Sequence, residues 1–204
     1  ISLSDTAKIL RLRGKLMQDT VPLGIGSMAA LIGVDKDIIN EIRKKFLNQN
    51  EILDIGNDNS PGQIVVSGHK SAVDKVVEHY KELNIKRVIE LPVSAPFHCS
   101  LMEEVANKLK EPINELNVLE PIIPLINNVD ADILSKPIRI KNSLVKQITA
   151  TVRWRESIEK MISLKVDRFV ELGSGNILSG LVKRINKSVD ASSLGTIEDI
   201  ENLV

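Results

Sequence analysis

The chain is poor in the residues that build several common kinds of site. It contains one cysteine, Cys99, so no disulfide can form within it, which agrees with a reducing cytoplasm. Aromatic residues make up only 2%, which argues against a surface that stacks single-stranded nucleic acid. No metal centre is predicted, because the three histidines, the one cysteine and the scattered carboxylates do not have the spacings of metal ligands. We also expect no cofactor.

Long apolar runs and an excess of one charge are also missing. No run approaches the roughly 18 residues that cross a bilayer, and no signal-peptide pattern opens the chain. Basic and acidic residues balance at 27 each, so the chain as a whole is not predicted to bind a polyanion. Hydrophobic residues reach 43%, enough for a sizeable aliphatic core. We therefore expect a cytoplasmic protein without membrane or nucleic-acid partners.

A nucleophilic serine in its usual setting is missing too. The Gly-x-Ser-x-Gly turn that exposes such a serine between a strand and a helix does not occur. Ser27 and Ser174 lie in glycine-containing segments, but neither has a glycine two residues before and two residues after it. Covalent catalysis by serine is therefore not predicted for this chain alone.

The middle of the chain is the most regular part. The patterns predict four strands, namely Ser27–Ile32, Glu51–Ile55, Gln63–Ser67 and Arg87–Val93. Helices opened by Asp35 and Ser71 separate them, and a turn is predicted over Asn57–Gly62. The order β-α-β-β-α-β is typical of a ferredoxin-like module, which we assign to residues 25–95.

The flanking parts predict an α/β domain made of residues 1–24 and 96–204. It begins with a helix over residues 4–19, for which Ser4 is the expected N-cap. Further helices are predicted at 99–116, 138–148, 152–164 and 177–185. Buried strands are predicted at 121–126 and 167–172, and the tail from Ser188 to Val204 is polar and then weakly helical. Strands that alternate with helices favour a parallel sheet, but few strands remain, so we expect an incomplete sheet.

Three residues are candidates for chemistry. His98 follows a strand and a proline turn, where a neutral imidazole could act as a general base, or could merely hydrogen-bond locally. Arg13 lies beside an apolar helix face, where it could clamp a carboxylate, or could snorkel to solvent. Gln147 ends a helix, where it could face solvent or help to hold an imidazole in its working tautomer.

Six colinear segments resemble the malonyl-CoA:acyl carrier protein transacylase family. They are Arg13–Gln18, Asn59–Gly68, Leu91–His98, Asn127–Val129, Leu144–Gln147 and Glu171–Leu181. Any one of these matches is weak, but six in the same order make chance a poor explanation. The resemblance implies an α/β-hydrolase-like acyltransferase domain with an inserted ferredoxin-like subdomain.

The resemblance also implies roles for individual residues. Arg13 matches the arginine that pairs with the free carboxylate of the malonyl group, and His98 matches the base that activates the serine. Gln147 matches the position that orients this histidine. Phe97 lies where the family and its polyketide-synthase relatives set acyl size, and its ring favours malonyl over methylmalonyl. The implied partners are malonyl-CoA and acyl carrier protein, with a monomer expected for the complete enzyme.

The family's early strands, its oxyanion loop and its Gly-His-Ser-x-Gly elbow all precede the segment that begins with Arg13. We therefore expect this chain to be the C-terminal portion of a transacylase, inactive by itself. Two alternatives remain open. One is a carrier-protein-binding module whose contact includes Lys183, Arg184 and Lys187, although these could equally form a solvated helix end. The other is the catalytically dead product of a decayed gene.

Overall fold

The computed structural model describes residues 1–93 and 95–202, so Ser94 of the predicted site segment and Leu203 and Val204 of the tail lie outside the described residues. Eight α-helices are present in the described part. They are α1 (Leu3–Thr20), α2 (Ile38–Phe46), α3 (Lys70–His79), α4 (Glu103–Glu115), α5 (Pro137–Lys146), α6 (Trp154–Ser163), α7 (Ile177–Ile185) and α8 (Ile197–Glu201). A 3-10 helix, Ser100–Met102, precedes α4. None of these described helices combines the length and apolar character needed to cross a membrane.

The described strands form three sheets of very different size. They are β1 (Gly26–Ile32), β2 (Leu53–Ser60), β3 (Gln63–His69), β4 (Arg87–Glu90), β5 (Leu125–Ile126), β6 (Ile133–Leu134), β7 (Arg168–Leu172) and β8 (Asp190–Leu194). The first four make one antiparallel sheet in the order β2-β3-β1-β4. The hairpin β5-β6 is antiparallel, and the pair β7-β8 is parallel.

The four-stranded sheet is covered on both faces. Ala29 and Leu31 of β1 point to the side where α2 and α3 pack, and both are fully buried. Met28 and Ala30, which alternate with them, lie in a second cluster on the opposite face together with Phe97. Because both faces are buried, the sequence of β1 is a continuous apolar run and does not alternate between apolar and polar residues.

A second core joins the start of the chain to the segment that follows the sheet. Met17 of α1 and Leu109 of α4 are buried in it, together with Ile148 just beyond α5. Pro112 lies inside α4 and does not end the helix, which continues to Glu115. This core holds α1, α4 and the end of α5 against one another, and so positions the candidate residues that they carry.

Two predicted helix starts were wrong by a few residues. Helix α1 begins at Leu3, and its cap is Ser2, whose hydroxyl accepts a hydrogen bond from the backbone N–H of Asp5 at 3.1 Å, so Ser4 is not the cap. Helix α2 begins only at Ile38. Asp35 instead accepts a hydrogen bond from the backbone N–H of Gly62 at 3.2 Å, which ties the β2-β3 turn to the end of β1.

The predicted turn over Asn57–Gly62 was mostly wrong, because β2 runs on to Ser60 and only Pro61 and Gly62 turn the chain. Two shifts in register within β2 accommodate these turn-forming residues in a strand. The side chain of Asp58 is buried and paired with Arg155, a partner 97 residues away that local sequence patterns do not reveal.

The two strands predicted to be buried are largely exposed. Only Leu125–Ile126 of the segment 121–126 is a strand, and Ile122 and Ile123 before it are exposed. In β7 one face turns to α6 and α7, while Leu172 on the other face is 74% exposed. No described element packs on that face, which explains why apolar character alone misled the prediction.

The tail contains a strand that was not predicted. Residues Asp190–Leu194 form β8, which pairs with β7 in parallel register, Arg168 opposite Asp190 and Leu172 opposite Leu194. The sequence of β8 is rich in small polar residues and has low strand propensity. Pairing with β7 and burial of Ala191 against α6 and α7 decide its conformation.

Candidate active site

His98 adopts an unusual backbone conformation between β4 and the 3-10 helix. Its φ is +59°, in the left-handed region that residues other than glycine occupy infrequently. Such conformations are concentrated at functional sites, where surrounding structure enforces them. The neighbours on both sides are anchored, because Phe97 packs against the sheet core and Cys99 is fully buried. The imidazole itself is half-buried.

The backbone carbonyl at the end of α5 determines the tautomer of His98. The Nδ1 atom lies 2.9 Å from the carbonyl oxygen of Gln147. A carbonyl oxygen can only accept, so Nδ1 must carry the proton and donate it. In the neutral ring the lone pair then resides on Nε2, which is the arrangement that a general base requires.

Gln147 therefore contacts His98 through its backbone rather than chiefly through its side chain. The side-chain Nε2 of Gln147 is 3.5 Å from Nδ1 of His98, a long contact that would require a lone pair on Nδ1. The shorter carbonyl contact excludes that lone pair. The structure thus brings the two predicted residues together, with the last turn of α5 presenting the acceptor.

The pKa of His98 is lowered from its ordinary value. Burial is the largest cause, because it disfavours the charged imidazolium. The carbonyl of Gln147 acts in the opposite direction, the positive charge of Arg13 lowers the pKa further, and the carbonyl of Ala150 raises it slightly. With the net shift downward, His98 is neutral at pH 7 and able to accept a proton.

Arg13 is a half-buried cation on α1. Burial lowers the pKa of its guanidinium, and no carboxylate among the described residues offsets this effect. One turn further along the same helix, Met17 is buried in the core that α1 shares with α4. A guanidinium that is partly removed from water without a counter-ion is a favourable place for a carboxylate to bind in a bidentate manner. Arg11, by contrast, is exposed.

Phe97 lies directly beside the histidine and joins two hydrophobic clusters. Its ring packs against the sheet cluster that includes Met28, and also against the helical core that includes Met102. Its carbonyl oxygen lies close to Gly56 of β2, where an added Cβ would come within 3.4 Å. The ring is therefore held by packing next to the catalytic candidate.

The loop after Gln147 is fastened to β2 by contacts that no local pattern predicts. The hydroxyl of Thr151 donates to the carbonyl of Ile55 at 2.6 Å, and the N–H of Val152 donates to the carbonyl of Gly56 at 2.8 Å. The N–H of Asp58 donates to the carbonyl of Val152 at 2.9 Å. These three hydrogen bonds, which we call the seam, connect the four-stranded sheet to the segment that holds His98.

An ion pair reinforces the seam. The guanidinium of Arg155 contacts both carboxylate oxygens of Asp58, with distances of 2.8 to 3.2 Å. The carboxylate is 5% exposed and the guanidinium 21% exposed. The hydrogen bonds that Arg155 donates to Asp58 raise the pKa of Arg155, which keeps this cation charged. Sequence reasoning missed the pair because Asp58 was assigned to a turn.

The other two histidines and the cysteine make contacts that stabilise the fold. The Nδ1 of His69 accepts a hydrogen bond from the N–H of Ile52, and the ring of His79 stacks on Phe46. The thiol of Cys99 donates to the carbonyl of Pro96, and burial raises its pKa. Within residues 1–93 and 95–202, no group of three or more His, Cys, Asp or Glu side chains could hold a metal ion.

Three basic residues from the alternative hypothesis are exposed near the end of α7, namely Lys183, Arg184 and Lys187. Arg184 donates a hydrogen bond to the side chain of Gln63, which connects α7 to the start of β3. Of these three residues, Arg184 is therefore held in place by its contact with the sheet.

The arrangement brings together groups that acyl transfer could use. His98 offers a base, and Arg13 offers an anion-binding group. No described hydroxyl or thiol makes a hydrogen bond to the imidazole, whose two described side-chain contacts are both with Gln147. A base and an anion clamp prepare such chemistry but do not perform it without a nucleophile.

Comparisons with known proteins show which proteins this chain is similar to. A scan against protein-family models finds no match. A comparison with known protein sequences finds the malonyl CoA-acyl carrier protein transacylase of Staphylococcus aureus, which is 42% identical over 201 residues. The match covers 98% of this chain and 65% of the relative. Among solved structures, an acyl-carrier-protein-S-malonyltransferase from Bartonella henselae is 46% identical with a TM-score of 0.93, and the match covers 100% of this chain and 64% of the other.

A third match comes from a solved complex of a type II polyketide synthase acyl carrier protein with its malonyl-transacylase. The matched chain is 36% identical with a TM-score of 0.90, and the match covers 96% of this chain and 63% of the other. The chain is thus related to acyltransferases with an α/β fold. It is homologous to the malonyl CoA-acyl carrier protein transacylases, as the six sequence segments predicted, and it spans 65% of the length of this Staphylococcus aureus relative.

Proposed function

We propose that this chain supplies the general base and the carboxylate-binding arginine of a malonyl-CoA:acyl carrier protein transacylase. In fatty acid biosynthesis such an enzyme transfers a malonyl group from malonyl-CoA to the phosphopantetheine thiol of acyl carrier protein. The observation that supports the proposal most directly is the 2.9 Å hydrogen bond from Nδ1 of His98 to the carbonyl of Gln147, because it leaves Nε2 free to accept a proton.

The reaction proceeds in two half-reactions through an acyl-serine. A serine hydroxyl, which this chain does not contribute, attacks the malonyl thioester while Nε2 of His98 accepts its proton. The CoA thiolate leaves and takes that proton. The carrier-protein thiol then attacks the acyl-serine, with the same imidazole moving the proton in the reverse sense. A neutral His98 at pH 7 suits both steps.

Arg13 binds the free carboxylate of the malonyl group in this proposal. Its half-buried guanidinium lacks a described carboxylate partner, so a bound malonyl group would supply the missing negative charge. Phe97 limits the space beside the α-carbon and disfavours methylmalonyl. The packing of its ring against two clusters supports a fixed boundary rather than an adaptable one.

We also propose that the domain organisation follows the family pattern. Residues 25–95 form a ferredoxin-like subdomain, which is supported by the antiparallel order β2-β3-β1-β4 with α2 and α3 on one face. Residues 1–24 and 96–204 belong to an α/β-hydrolase-like domain, monomeric in its complete form. Since no Gly-x-Ser-x-Gly turn occurs in the sequence, we predict no transacylase activity from the chain alone.

A binding role without chemistry is the second candidate. The exposed cluster Lys183, Arg184 and Lys187 could contact an acidic carrier protein, and the solved complex of a related malonyl-transacylase with its acyl carrier protein makes that partner reasonable. A pull-down with holo acyl carrier protein at low and moderate salt tests it. Binding that does not weaken with salt, or no binding at all, would remove this candidate.

Complementation is the decisive test of the enzymatic proposal. The purified chain is mixed with a separately expressed N-terminal transacylase fragment that carries a Gly-x-Ser-x-Gly turn, and malonyl transfer to holo acyl carrier protein is followed. We expect activity only in the mixture. His98→Ala should reduce it by about 10²–10⁴-fold, whereas Arg13→Ala should mainly abolish the preference for malonyl over acetyl substrates.

Matched controls separate these roles from general damage. His79→Ala and Arg11→Ala remove the same side-chain types from positions away from the site, and we expect activity within about twofold of the unmodified mixture. A mixture that is shown to be folded and associated but remains inactive would contradict the proposal. Equal loss in His98→Ala and His79→Ala would argue against a base at position 98.

A further inference from the structure

Asn127 connects the hairpin β5-β6 to the helix that presents the acceptor for His98. It directly follows β5, and its side-chain Nδ2 donates to the hydroxyl of Ser143 on α5 at 2.5 Å. Ser143 is buried, with 8% of its surface exposed. The backbone of Asn127 is also fixed, since its carbonyl accepts hydrogen bonds from the N–H of Ala131 and the hydroxyl of Ser157.

The orientation of the Asn127 amide follows from its partners. Its Oδ1 accepts a hydrogen bond from the backbone N–H of Asp130 at 3.3 Å, and an N–H group can only donate. The amide nitrogen therefore faces Ser143, and it also reaches the carboxylate of Asp130 at 3.2 Å. Reversing the amide would place two donors against each other, so the hydrogen bond to Ser143 is specified by the turn.

Two further hydrogen bonds connect Ser143 to His98 across the last turn of α5. The carbonyl of Ser143 accepts the N–H of Gln147 at 2.8 Å, and the carbonyl of Gln147 accepts Nδ1–H of His98 at 2.9 Å. Asn127, Ser143 and Gln147 also line one cavity of about 200 Å³. The end of α5 borders this space on one side, where the hydrogen bond from Asn127 to Ser143 rather than close packing holds it.

We propose that Asn127 is a positioning residue, which through Ser143 holds the last turn of α5 so that the carbonyl of Gln147 stays on Nδ1 of His98. This inference rests on the proposed role of His98 as the base. Asn127 makes no hydrogen bond to His98 among the described contacts, so its effect must pass through α5. Loss of its amide releases Ser143 from the hairpin and lets the Gln147 carbonyl drift from the imidazole.

Nuclear magnetic resonance of the histidine ring nitrogens tests the proposal on this chain without any need for acyl transfer. In the unmodified chain we expect His98 to show a bonded Nδ1–H proton. In Asn127→Ala, exchange of that proton with solvent should accelerate by roughly tenfold, the factor expected for the loss of one ordinary hydrogen bond. The pKa of His98 should fall further, because the Gln147 carbonyl raises it in the intact chain.

Paired variants show whether the effect passes through the stated contact. Ser143→Ala should reproduce the change, the double variant should add nothing to it, and Ser143→Thr, which keeps the hydroxyl, should restore the signal of the unmodified chain. Asn48→Ala is the matched control, since it also removes an amide that bonds within a turn. It should leave His98 unchanged.

Two results would overturn the inference. An unchanged Nδ1–H signal of His98 in a folded Asn127→Ala chain would show that the contact does not position the acceptor. Equal changes at His69, His79 and His98 would show a general loss of structure rather than positioning. Because these signals do not depend on a serine or on malonyl-CoA, a failed complementation assay would leave them interpretable, and the two proposals can fail separately.

Discussion

The four-stranded sheet and the two-stranded sheets of this chain differ in how completely they are covered. The first has helices α2 and α3 on one face and the cluster around Met28 and Phe97 on the other. The pair β7-β8 is covered by α6 and α7 on one face and leaves Leu172 exposed on the other. Burial of apolar surface is the main source of folding free energy, so the same residue type should matter very differently in the two regions.

A matched pair of leucines should give the largest difference. Leu31→Ala removes a fully buried side chain from the sheet core and should lower the free energy of unfolding by about 2–5 kcal/mol. Leu172→Ala removes a side chain that is mostly exposed and should change it by less than about 0.5 kcal/mol. Urea unfolding followed by circular dichroism measures both. Similar losses in the two variants would mean that the face of β7 is covered in solution.

The ion pair between Asp58 and Arg155 joins the two regions and should have the next largest effect. Asp58→Asn leaves a partly buried guanidinium without its counter-ion, and we expect a loss of about 1.5–3 kcal/mol in the free energy of unfolding. As a control, Glu104→Gln breaks an exposed pair with Lys108 on α4 and should cost at most about 0.5 kcal/mol. If the control costs as much as Asp58→Asn, the seam does not hold the regions together.

Glu51, beside the four-stranded sheet, should contribute to the acid dependence of stability. Hydrogen bonds from Lys75, the backbone of Asn48 and Ser71 hold the pKa of Glu51 at about 2, below its value in an unfolded chain. Its carboxylate thus stabilises the fold above the unfolded pKa of about 4.3, and this contribution is lost as the pH falls toward 2. The difference in stability between the unmodified chain and Glu51→Gln should shrink over this range.

The comparison for that titration is Glu115→Gln, which changes an exposed carboxylate at the end of α4. It should change the free energy of unfolding by less than about 0.5 kcal/mol. Unfolding free energies by urea titration at successive pH values provide the measurement. A gap for Glu51→Gln that stays constant over the range would contradict the low pKa.

The exposed apolar residues before β5 should affect association more than stability. Ile122 and Ile123 present adjacent apolar side chains to solvent. Replacing both with threonine should reduce self-association, because contiguous exposed apolar surface promotes it, and should change the free energy of unfolding by less than about 0.5 kcal/mol. Sedimentation velocity at increasing concentration measures the first effect. Unchanged association would locate the contact surface elsewhere.

Local sequence patterns predicted what depends on neighbouring residues. Helix α7 has the predicted bounds, because an apolar face repeats with helical spacing after the Gly173–Asn176 loop. The order of strands and helices between β1 and β4 follows from short apolar runs separated by turn residues. The pairing of His98 with Gln147 was predicted only through resemblance to a family, since 49 residues separate them.

Tertiary structure decided the features that depend on distant partners. Asp58 lies in β2 rather than in a turn because Arg155 and the Val152 backbone provide the hydrogen bonds that its buried polar groups need. The polar segment Asp190–Leu194 is a strand because β7 pairs with it. The backbone carbonyl of Gln147 sets the proton on His98, and every residue has such a carbonyl, so only its position in space gives it this role.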